Sequence, residues 1–163
     1  MADFHQNGLV TTLHNLSRRP VEDLERELLQ FSDSRPMTLV LPCLYSELAG
    51  PALGNIVSEL AQVPYLAEIV IGLDRASEDE YRHALSYFAE LPQHHRVLWN
   101  DGPRLKQLDG ALQELGLAPT ELGKGRNVWY CLGYVLGSGR GQSVALHNCD
   151  IVTYQRELLA RLI

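Results

Sequence analysis

Met37-Thr-Leu-Val-Leu41 is a short run, apolar except for Thr38, flanked by the turn-forming residues 32–36 and by Pro42. Its length and composition are those of a strand buried on both faces. Downstream, Gly50-Pro51 opens a helical stretch whose Leu53, Ile56, Val57, Leu60 and Ala61 fall on one side of a helix. Ile69-Val-Ile71 is a second buried strand, ending at Asp74. A helix is expected over 77–91, with Ser77 as N-cap and Glu80 as its capping-box partner. Arg96-Val-Leu-Trp99 reads as a third strand, followed by the turn Asn100-Asp101-Gly102-Pro103. Leu105, Leu108, Leu112 and Leu115 mark the next helix, and 125–136 another, with Val128, Leu132 and Val135 on one face. Residues 143–146 form a fourth strand, and 154–163 a last helix with Leu158, Leu159 and Leu162 turned inward. Upstream, Pro20 suits a first helical turn, and Leu24, Leu28 and Phe31 recur at helical spacing. Residues 1–17 carry no period and read as an arm.

Strands alternating with helices imply an α/β fold: a mostly parallel, Rossmann-like sheet with helices on both faces. Ligands of such sheets bind beyond the carboxyl ends of the strands. Attention therefore falls on Tyr45 and Glu47, Asp74, Asn100 and Asp101, and Asn148 and Asp150. Two segments are expected: 1–36 as arm and amphipathic helix, and 37–163 as a ligand-binding α/β domain.

The bulk numbers narrow the ligand. With 163 residues, 45% of them hydrophobic and 21% charged, the chain has the balance of a folded globular domain. A net charge of −6 argues against a nucleic-acid surface. It is compatible with a small anion held by local groups. Cys43, Cys131 and Cys149 have no CxxC spacing, which disfavours a zinc site or a disulfide framework and suits reduced thiols. No apolar run reaches the roughly 20 residues of a membrane span, and residues 1–12 lack a signal core. A cytoplasmic protein is expected.

Asn148-x-Asp150 closes a strand before a helix. A carboxylate there suits Mg2+ or Mn2+ bridging two phosphates. The plainer alternative is an Asx turn or N-cap. Gly123-Lys124-Gly125 opens a helix, where free N–H groups and a lysine attract anions. It lacks the spacing of a P-loop, and a flexible turn is the alternative. In Leu41-Pro42-x-Leu44-x-x-Glu47, the proline is expected to stiffen the turn and end sheet pairing, with Glu47 free to accept hydrogen bonds. Cys149 reads as a small buried side chain, His94-His95 as a surface pair, and Trp129 and Tyr130 as core aromatics. Strand alternation leaves open whether His147 faces the site.

Taken in order, these motifs resemble the first half of a GT-A glycosyltransferase, of the glucosyl-3-phosphoglycerate synthase and mannosylglycerate synthase type. The resemblance covers residues 39–47, 68–77 and 123–151. It implies that Pro42, Leu44, Glu47 and Asp74 hold base and ribose of a nucleoside diphosphate sugar. It further implies that Gly123, Lys124 and Gly125 meet the diphosphate, that Asn148 lies in the family's Asp-x-Asp unit, and that Asp150 binds a divalent cation. The implied reaction moves a hexosyl group, with retention, from UDP-glucose, or from GDP-mannose as second choice, to a small acceptor such as 3-phosphoglycerate. Asn148 departs from the family's acid, which removes a charge but keeps an oxygen acceptor. The chain ends at Ile163, about one helix past this motif. The acceptor site is therefore expected downstream, and the 163 residues alone are expected to be inactive and to self-associate. Two other readings stand beside this one. A non-catalytic half-domain binding a nucleotide or a partner is favoured by Asn148. A nucleotidyltransferase is disfavoured because 41–48 contains no glycine.

Overall fold

Buried β-branched and leucine-rich runs separated by amphipathic helices produce the layered arrangement expected. The computed structural model describes residues 19–163. The arm expected over 1–17 lies outside them. Helix α1 (Val21–Ser32) precedes β1 (Met37–Leu44), a 3-10 turn (Tyr45–Ala49), α2 (Pro51–Leu60), β2 (Leu66–Asp74), α3 (Glu78–Phe88) and β3 (His95–Trp99). Then come α4 (Pro103–Glu114), α5 (Lys124–Ser138), β4 (Ser143–Leu146) and α6 (Arg156–Leu162). The four strands lie in the order β3-β2-β1-β4, all parallel. The chain thus runs outward from β1 to β3 and then crosses back to add β4 on the far side of β1. That reversal creates a topological switch point between β1 and β4, where open α/β sheets bind ligands.

Alternate strand residues serve two unequal cores. Leu39, Leu41, Ile69, Ile71 and Leu73 pack with Leu53, Ile56, Leu60, Ala84, Phe88 and Leu159 from α2, α3 and α6. On the other face, Val40 and Val70 meet Cys131 and Val135 of α5. The α3 capping box forms as expected: Glu80 N donates to Ser77 Oγ at 3.4 Å and Ser77 N to Glu80 Oε2 at 2.7 Å. Hydrogen bonds from the Ser77 backbone and side chain lower the pKa of the Glu80 carboxyl.

Four local expectations need correction. Pro42 does not end the first strand: pairing with β2 continues through Pro42↔Gly72 to Leu44↔Asp74. On the β4 side, the Val40 carbonyl accepts from His147 N at 3.1 Å and regular pairing stops at Val40↔Leu146. Two residues on, the missing N–H of Pro42 points to that same side, where no strand needs it. Second, the buried face of α5 consists of Asn127, Tyr130, Cys131 and Val135, while Leu132 is exposed. Third, α6 begins at Arg156 and buries Leu159 and Ala160, leaving Leu162 exposed. Fourth, Trp129 is exposed and only Tyr130 of that aromatic pair is buried.

Candidate functional site

The carboxyl ends of β1 and β4, the end of β2 and the start of α5 enclose a cavity of about 180 Å³. Pro42, Leu44, Glu47, Asp74, Gly123, Lys124, Asn148 and Asp150 all line it. Of the residues that the resemblance assigns to a ligand, Gly125 alone lies outside, on a neighbouring surface hollow with 119–126. The strand-end candidates Tyr45, Asn100 and Asp101 do not line the cavity either, and Asn100 and Asp101 line a separate hollow. Sequence reasoning missed Cys43, Arg75 and Asn127, which also line the cavity, and gave Cys149 no part in it.

Each wall has a local cause. The chain leaves β1 through the 3-10 turn because Glu47 reaches back: Leu44 N donates to Glu47 Oε2 at 2.6 Å. That bond occupies one carboxylate oxygen and leaves Glu47 Oε1 for a ligand. Asp74 is buried at the end of β2, and its Oδ1 accepts from Arg75 N at 3.1 Å. Arg75 has φ 57°, a left-handed conformation unusual for a residue with a side chain. Strain of this kind at a cavity lip is a pointer to function. Asp101, at the end of β3, steadies the same loop by accepting from Ala76 N at 3.0 Å. Asn100 is buried and its side-chain atoms have no partner among the described residues.

Gly123 precedes α5 with φ 143°, a conformation L side chains rarely adopt, and a Cβ there would meet nothing. The glycine is therefore required by backbone geometry and not by space. Asn127 N donates to Gly123 O at 3.1 Å, closing the first turn. The N–H groups ahead of it are left without helical partners, as at any helix start. Lys124 Nζ donates to Asn148 Oδ1 across the cavity. The basic residue of one motif and the amide of the other thus meet directly.

Behind this front the packing is tight. Gly72 lies under α5, and a Cβ on it would overlap Asn127 Oδ1. Asn127 Nδ2 donates to Gly72 O at 2.7 Å, fixing α5 against the sheet. His147 points away from the cavity: its Nδ1 pairs with Tyr154 OH at 2.9 Å, and burial pushes its pKa down. His94 is no mere surface pair, since its Nε2 lies 3.3 Å from the fully buried Glu68 carboxylate. The Cys43 thiol donates to Leu44 O at 3.3 Å, and the neighbouring Cys149 thiol and burial push its pKa up.

The site suits an anion that also carries hydroxyl groups. A helix start and Lys124 line the cavity together with the carboxylates of Glu47 and Asp74, which can accept from hydroxyls. It also fits a hard cation carried in with phosphates. Asp150 is an exposed carboxylate at the rim, and Mg2+ commonly takes one or two carboxylates with the remaining positions filled by phosphate and water. A pre-formed hard-cation cage is not built here: Asn148 Oδ1 is engaged by Lys124.

A parallel sheet with its cavity at the switch point defines a Rossmann-like α/β domain. Over its whole length the chain is similar to two glucosyl-3-phosphoglycerate synthases. It is 48% identical over 163 residues to that of Persephonella marina and 35% identical over 162 residues to that of Methanococcoides burtonii. It spans 40% and 39% of those two proteins. No protein-family model matches the chain.

Proposed function

We propose that this domain is the donor-binding part of a glycosyltransferase that moves glucose from UDP-glucose to a small phosphorylated acceptor, 3-phosphoglycerate above all. The observation that carries the reading is the pairing of full-length similarity with the switch-point cavity. The relatives bear a name that specifies glucosyl transfer to 3-phosphoglycerate. The cavity gathers all but one of the residues that the motif resemblance assigns to a nucleotide sugar.

Each residue then has a role its position allows. Pro42 and Leu44 form an apolar wall for the base, while Glu47 and Asp74 accept hydrogen bonds from ribose hydroxyls or a base N–H. Gly123 and Gly125 let the diphosphate approach the start of α5, where unpaired N–H groups and Lys124 neutralise it. Phosphate is a stronger acceptor than an amide, so Lys124 would exchange Asn148 for the diphosphate. Asn148 is then released to the ribose. Asp150 would hold Mg2+ or Mn2+, which would screen the charge gathering on the departing diphosphate. Transfer also requires a positioned acceptor, and the counterpart of that site in the relatives would fall in the length this chain does not span.

Calorimetric titration of the chain with UDP, UDP-glucose and GDP-mannose, each with Mn2+, tests the reading. Saturable binding of both uridine compounds, tighter than that of GDP-mannose, is expected. No heat of binding from any of the three at millimolar concentration would overturn it.

A further inference from the structure

Beneath the proposed nucleotide site lies a second group of potential ligands with different chemistry. One sulfur each from Cys43 and Cys149 and one carboxylate oxygen of Glu47 lie within 4.8 Å of one another. The two cysteines are buried at the boundary between the larger core and the cavity, and both form part of the cavity wall. They come from different strand ends: Cys43 is the next-to-last residue of β1, and Cys149 follows β4. No local sequence spacing links them, so the switch point itself makes the pair.

The geometry points to a thiophilic cation site, formed by Cys43, Cys149 and Glu47, that takes Zn2+ and thereby withdraws Glu47 from the nucleotide. This coupling rests on the donor-binding role proposed above, whereas the cation site stands on the ligand cluster alone. Zinc binds sulfur at about 2.3 Å and carboxylate oxygen at about 2.0 Å, so tetrahedral ligands lie about 3.5–3.8 Å apart. Side-chain shifts of about an ångström would bring the three atoms to that spacing. Two sulfurs select zinc over Mg2+ and Mn2+, which prefer all-oxygen sites such as the one proposed at Asp150. The fourth position faces the cavity and is filled by water. Cys43 and Cys149 each form a bond to the metal through sulfur and each release a proton to solvent, so binding strengthens as pH rises. Glu47 Oε2 is held by Leu44 N, which leaves Oε1, the oxygen assigned to the nucleotide, as the ligand. Zinc and nucleotide therefore compete for one atom.

Co2+ is the direct probe, added to the full chain under a thiol-free reductant. One equivalent should produce an intense thiolate-to-cobalt charge-transfer band and the visible spectrum of a tetrahedral ion. Zn2+ should displace it, while excess Mg2+ should not. Cys149→Ala and Cys149→Ser should each lose at least half of the band, as should Cys43→Ala. Cys131→Ala, whose thiol contacts Asn127 at 3.5 Å on the other face of the sheet, should keep it. Unchanged melting curves identify variants that still fold, and the Ser variant serves where Ala does not. Absence of a band saturating at one equivalent, or an undiminished band in a folded Cys149 variant, overturns the site. In wild type, one equivalent of Zn2+ should weaken UDP binding by about tenfold, the worth of one charged hydrogen bond. Unaltered UDP affinity in the zinc-loaded chain contradicts the shared use of Glu47. If the metal-free chain binds no UDP, the donor-binding role fails, and the cobalt spectrum still decides the cation site.

Discussion

Lys124 and Asn148 show how much a single amide alters this site. An aspartate at 148 would form an ion pair with Lys124 and hold it in place. The amide gives a weaker grip, so the lysine stays available to an incoming diphosphate. Lys124→Ala is therefore expected to weaken UDP binding by about tenfold or more, the effect of one lost charged hydrogen bond, and to leave uridine binding nearly unchanged. Parallel titrations with the two ligands check this, and equal losses for both would contradict the assignment to phosphate. The folded pKa of His147 lies below the ordinary value because burial opposes the charged ring. At pH values below the usual histidine pKa of about 6.5, the unfolded chain takes up a proton that the native state resists. Stability from this group is thus present at neutral pH and declines as pH falls through that value. His147→Phe should flatten the decline in denaturant stability between pH 7 and 5.5, even though it lowers absolute stability by leaving Tyr154 OH unpartnered. Identical pH slopes in the two proteins would show that the ring is not buried neutral.

Among the elements, α5 joins site and sheet, and it rests on a notch. Gly72 provides the space and Asn127 the bond across it. Gly72→Ala should force α5 away from β2 and destabilise the chain by about 1–3 kcal/mol, the usual cost of overpacking. Urea denaturation measures it, and a loss under about 0.5 kcal/mol would show that the contact relaxes freely. This contact also marks the limit of what the sequence disclosed. The strands were readable because β1 and β2 are apolar on both faces, and the start of α3 because Ser77 and Glu80 have the spacing of a capping box. The inward face of α5 was not. Counting apolar residues picks out Val128, Leu132 and Val135, of which Val135 alone is buried, whereas the buried stripe reaches it through the amide of Asn127 and through Cys131. A polar residue satisfied by a carbonyl on a neighbouring strand leaves no periodic trace. Pro42 misled for a related reason: whether a strand tolerates proline depends on which neighbour it has on that side, and only the strand order reveals this.

At the scale of the whole molecule, the strand order concentrates the site. Because β4 pairs with β1 on the side opposite β2, the loops after β1 and β4 face each other over one cavity. The strand-end rule pointed in advance to Glu47, Asp74, Asn148 and Asp150, which line the cavity, and also to Tyr45, Asn100 and Asp101, which do not. It could not show Cys43 beside Cys149, since that neighbourhood depends on register and on which way each side chain turns. In the proposed site, Asp150 holds a divalent cation against the diphosphate of a bound nucleotide. The most direct measurement is calorimetric titration of UDP into wild type and Asp150→Ala, each with and without Mn2+, beside their melting curves. Wild type should bind UDP more tightly with Mn2+, and Asp150→Ala should lose that increment while remaining folded. If Asp150→Ala binds UDP with unchanged affinity in Mn2+ and merely melts earlier, by an amount matching the roughly 0.5–2 kcal/mol of a lost helix cap, the residue is structural and the account of the site is contradicted.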